Sequence, residues 1–176
     1  MKPLIILGLI VAVILVYIEK EWYFEQLKIC SNFTKFHLLG FALAIMMIMV
    51  AILSVGLPKT IKIEIRGEGV FPTTVEFYLL LLVLLPIFVN VETYVFQHLP
   101  IKYLGLPGGL ALVPVWTLLH YLQSPTLLTI VSASVMGVIL VLIYKKYGFN
   151  ATMQVHFGYD LLLIVIMIVT AMISMM

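Results

Sequence analysis

Carboxylates are scarce in the second half of this chain. After Glu76 only Glu92 and Asp160 remain, and three of the four histidines, His98, His120 and His156, fall in the same region. Glu92 closes a long apolar run that begins near Phe77. A carboxylate at membrane depth costs about 2.5–3.5 kcal/mol on insertion scales, which makes it a functional candidate by default. Such a group can serve as a general base, and an imidazole beside it can orient water or donate to an oxyanion. Trp116 and His120 stand at i and i+4, as do His156 and Asp160, so each pair shares one helical face. Turned inward together, Glu92, His120, His156 and Asp160 would line a polar, water-holding site. The same four residues also make an acceptable zinc or manganese ligand set. His37 and His98, near the ends of apolar runs, read as interfacial.

The elements that must position these groups are membrane helices. Of 176 residues, 64% are hydrophobic and 10% charged, with a mean hydropathy of +1.21. That balance predicts an all-α, polytopic membrane bundle. Six runs are long enough to cross a bilayer: residues 3–18, 37–57, 75–96, 106–122, 126–144 and 151–174. The first follows Lys2 and lacks a small-x-small cleavage site, so it reads as an anchor. Residues 1–74 are expected to hold two accessory spans and surface loops, and 75–176 a four-helix core, in one membrane domain. The loop 19–36 reads as interfacial, and the alternation in Ile61-Lys62-Ile63-Glu64-Ile65-Arg66 as a surface hairpin. Pro86, Pro107 and Pro114 can kink spans, and Gly105-Leu106-Pro107-Gly108-Gly109 can break one. Gly158 would let a neighbouring helix approach closely. A net charge of +2 is too small and too scattered to suggest a nucleic-acid partner, and Cys30 as the single cysteine excludes an internal disulfide. Lysine and arginine divide six to four in favour of both termini outside.

Three motifs on successive spans resemble the CAAX protease and bacteriocin-processing (CPBP, or ABI) intramembrane endopeptidases. That family carries Glu-Glu-x-x-x-Arg, then Phe-x-x-x-His, then His-x-x-x-Asn/Asp. Glu92-Thr93-Tyr94-Val95-Phe96-Gln97 is similar to the first, Trp116 to His120 to the second, and His156 to Asp160 to the third. Thr93 stands where the second glutamate is usual, and Gln97 where the arginine is usual. The resemblance implies a glutamate-dependent protease without a covalent intermediate. Glu92 and His120 would activate water, His156 would hold the oxyanion, and Asp160 would orient His156. It implies no cofactor. The substrate would be a peptide or membrane-associated protein, prenylated in the best-known members, met within the lipid bilayer of a prokaryotic cell membrane. Two other readings stay open: a metal-binding membrane protein, either metallohydrolase or carrier, and a non-catalytic scaffold or immunity-type protein. Straight, perpendicular spans would separate His120 from His156 by roughly 10 Å along the membrane normal. A shared site therefore requires tilt, a kink or a broken helix.

Overall fold

The computed structural model describes Ile14, Tyr17, Lys20 and residues 34–55, 75–123 and 125–174. Ile14, Tyr17 and Lys20, from the first apolar run and its end, are helical. The expected hairpin at 61–66 and Cys30 lie outside the described residues. Among those residues there is no strand.

Helix α1 (Lys35–Val55) begins with a reciprocal cap. The Thr34 hydroxyl accepts from the Phe36 N–H at 3.2 Å, while His37 Nδ1 accepts from the Thr34 N–H at 3.1 Å. This is capping-box chemistry with histidine in place of the usual glutamate. The Thr34 hydroxyl also donates to Gln154 Oε1, which ties the start of α1 to a distant helix. Helix α2 (Val75–Thr93) runs into a single π-helical segment, Tyr94–His98, and continues directly as α3 (Leu99–Gln123). Helix α4 (Leu127–Ser174) starts at Thr126, whose hydroxyl accepts from the Thr129 N–H at 3.0 Å. Pro86 and Pro114 lie within helices whose backbone stays helical at both positions.

Two glycines do the bending. Gly105 (φ 68°, ψ −164°) interrupts α3, and Gly148 (φ 81°, ψ −174°) interrupts α4. Helical stretches Tyr78–Leu122 and Leu127–Ile173 are long and apolar enough to cross a membrane. The breaks divide them into four rods of roughly 25–40 Å each. The break near Gly105 falls where the Gly-Leu-Pro-Gly-Gly run places it. Between the fifth and sixth expected spans the chain makes a one-residue break, where the sequence suggested a loop over 145–150. Backbone angles of this kind are open to glycine and strained for other residues. Gly148→Ala is therefore expected to cost about 1–3 kcal/mol, even though a Cβ there meets nothing within 4 Å. Thermal unfolding of the purified protein in detergent checks it.

Helix α4 packs against α1, α2, α3 and the π segment. Its first rod lies antiparallel to the second rod of α3: a Cβ at Gly109 would reach Val141, one at Gly137 would reach Val113 and Trp116, and Thr117 meets Ser134 at 3.2 Å. Its second rod crosses α1 backbone to backbone. A Cβ at Gly158 would collide with the His37 carbonyl, and one at Gly40 with the Val155 carbonyl and, at 2.8 Å, the Tyr159 nitrogen. Two apolar clusters result. One joins α1, α3 and α4 around Ala44, Trp116, Met136, Leu140 and Val155. The other joins α2, the π segment and α4 around Tyr78, Val89, Tyr94, Phe149 and Met153.

Candidate active site

The polar residues sit where these two clusters meet. α2 delivers Glu92 and Thr93 at its last two positions, and the π segment follows at once. Its closing bond runs from the Leu99 N–H to the Tyr94 carbonyl, five residues back. Such wide turns occur as single bulges and concentrate at functional sites. Here the bulge buries Tyr94, Gln97 and His98 together.

His156 is the centre of the constellation, with a side chain 1% exposed. Its Nε2 lies 3.3 Å from Asp160 Oδ2, one turn along the same helix, and 3.7 Å from Glu92 Oε2 on α2. Its Nδ1 lies 3.4 Å from the Thr93 hydroxyl. Trp116 Nε1 donates to the same Glu92 oxygen at 2.9 Å. The indole thus fixes the carboxylate while its ring meets His156 edge-on, with centroids 5.7 Å apart. Gly137 makes room for that indole, since a Cβ there would stand 3.1 Å from Trp116 Cε3. Glu92 and Asp160 keep 31% and 28% of their side-chain surface, so both carboxylates have an open flank.

Glu92, His156 and Asp160 come together directly. His120 joins through Trp116: the two rings lie 4.2 Å apart, and His120 Nδ1 donates to the Trp116 carbonyl at 2.9 Å. A carbonyl can only accept, so the neutral ring carries its proton on Nδ1 and presents Nε2 as a base. Side chains on a helix lean toward its amino terminus. His120 therefore reaches back toward Trp116, and both imidazoles touch one indole across the depth difference expected for straight spans.

The two histidines read as interfacial are buried instead. His98 is packed inside the protein, stacked on Tyr94 with centroids 5.1 Å apart and hydrogen-bonded through Nδ1 to the Tyr144 hydroxyl at 2.7 Å. His37 is 5% exposed and meets Phe157 edge-on. Position near the end of an apolar run does not report this burial, because the π segment and the α1–α4 crossing turn both rings inward. The spacing Thr34-x-x-His37 was the available signal for the cap. The role of Trp116 as a donor was legible only in principle: a buried indole N–H needs an acceptor, and the chain offers few. Among the described residues, no three of His, Cys, Asp and Glu are grouped so as to hold a metal ion.

No family model matches the chain, and no curated protein or solved structure matches it.

Proposed function

We propose that this chain is a multi-pass intramembrane peptidase of the CPBP kind, in which Glu92 activates water for attack on a peptide bond. The observation that carries the reading is the meeting of Glu92, His156 and Asp160 from two helices, with Trp116 holding the carboxylate. In the reaction Glu92 takes a proton from water as its oxygen bonds to the scissile carbonyl carbon. An oxyanion forms on the carbonyl oxygen as the water adds, while His156 Nε2, 3.3 Å from Asp160 Oδ2 and 3.7 Å from Glu92 Oε2, holds the two carboxylates in register. The carbon–nitrogen bond then breaks, and the amine leaves with the proton carried by Glu92. Thr93 replaces the second glutamate of the family motif, yet its hydroxyl still faces His156, which supports a working site. His120, with Nε2 as acceptor, assists by positioning the water.

The exterior supports membrane insertion. Large apolar side chains are exposed on every described helix, among them Leu53 at 78%, Val83 at 74%, Leu104 at 71% and Leu127 at 76%. A soluble surface of this kind would aggregate, whereas lipid solvates it. The four rods, α1 and the first apolar run then make six crossings. Peptidase activity of the reconstituted protein, read by mass spectrometry on a library of prenylated and unprenylated peptides, tests the reading. No cleavage of any member would end it. Trp116→Phe keeps the ring and removes the donor, and about a tenfold fall in kcat is expected for loss of one charge-assisted hydrogen bond. Steady-state kinetics check it.

A further inference from the structure

Two buried carboxamides beside the site carry atoms without a hydrogen-bond partner. Asn90 is fully buried and neither its Oδ1 nor its Nδ2 has a hydrogen-bond partner; Gln97 is 2% exposed and its Oε1 has none. A buried polar group left without a hydrogen bond is costly, and native proteins meet that cost with a partner or an internal water. Burial this complete excludes an occupant larger than water. Asn90 and Thr93 are neighbours one turn apart on α2, and Gln97 follows Thr93 by about one turn of the π segment. The middle member, Thr93, is the one that reaches His156.

We infer that Asn90, Thr93 and Gln97 line a file of internal water that supplies the Glu92 site from the lysine-bearing end of the bundle. That end is marked by several contacts. His98 follows Gln97 and bonds Tyr144, which precedes Lys145 and Lys146 beside the Gly148 break. Lys102 stands near the Gly105 break, and Lys35 begins α1, where Phe36 packs on Tyr147 with centroids 5.4 Å apart. Lys35, Lys102, Lys145 and Lys146 are all exposed. From there Gln97 is the first member of the file, Thr93 the second, and Asn90, one turn deeper, its blind end. The inference rests on the peptidase reading, because a hydrolase consumes one water per turnover. A substrate would cover the open flank of Glu92, so water has to arrive from behind.

The test needs no peptide. In a Cys30→Ser background, Gln97→Cys and Asn90→Cys are exposed to silver ion, a thiol reagent that travels only through water. Modification is read as loss of maleimide labelling after denaturation. Both thiols are expected to react at least tenfold faster than Val89→Cys and Leu140→Cys, which replace buried apolar residues. Equal rates at all four positions overturn the file. Where a cysteine variant fails to fold, X-ray radiolysis of the unaltered chain in ¹⁸O water decides: label on Tyr94 and His98 supports the file, and its absence overturns it. A wet file in a protein that cleaves nothing would keep this inference and remove the peptidase.

Discussion

Glu92→Gln is expected to lower peptide cleavage by about 10²–10⁴-fold, the usual contribution of a positioned general base. Glutamine has the shape of glutamate, and its amide oxygen can still accept the Trp116 N–H that now reaches Oε2 at 2.9 Å. What it lacks is a carboxylate oxygen able to take a proton from water. The substitution therefore separates chemistry from architecture more cleanly than alanine, which would also leave the indole N–H without its acceptor. Its melting temperature should stay close to that of the parent, because the carboxylate keeps an open flank of 31% and solvent already screens its attraction to His156. Rates measured on one identified peptide, beside a melting curve for each protein, decide it. Undiminished cleavage by a folded Glu92→Gln variant would sink the glutamate mechanism.

Gly158→Ala is expected to force open the crossing of α1 and α4. The added Cβ would strike the His37 carbonyl and stand 3.2 Å from that residue's Cα and carbonyl carbon, so the obstacle is backbone and cannot rotate away. Helices α1 and α4 must separate. As they do, the Thr34–Gln154 bond and the packing of His37 on Phe157 are lost together. Overpacking of this order costs about 3 kcal/mol. Because His156 and Asp160 flank Gly158 on the same rod, activity should fall with stability. Gly40→Ala should do the same from the other side, against Val155 and Tyr159. The double variant should cost less than the two singles added, because the first methyl already parts the helices. Full additivity in thermal unfolding would mean that the two glycines do not share one crossing.

Much of the helical scaffold could be read from the chain, because lipid-length apolar runs have few other structures open to them. Helix α1 covers Lys35–Val55 where the hydropathy run spans 37–57, and the glycine-rich break at Gly105 announces itself by composition. Helical spacing also put His156 beside Asp160 and Trp116 beside His120, since both pairs are local. Contacts between helices were another matter. Spacing cannot say which face of α2 meets which face of α4; the pairing of Glu92 with His120 came from the family resemblance, and His156 and Trp116 are the groups seen to touch the carboxylate. The π turn had no signal at all, because no residue type favours a bond five residues back. It is set by how Tyr94 and His98 pack against Tyr144 and Phe149.

That turn also acts as a phase shift. Each residue on a helix rotates the chain by about 100°, so the wide turn at Tyr94–His98 works as one extra position between two correctly aimed segments. Upstream of it, Glu92 and Thr93 face His156; downstream, His98 faces Tyr144. Without the extra residue only one of these alignments would survive. Deleting one residue within 94–98 would therefore turn the carboxylate away from its histidine even with Tyr94 and His98 kept.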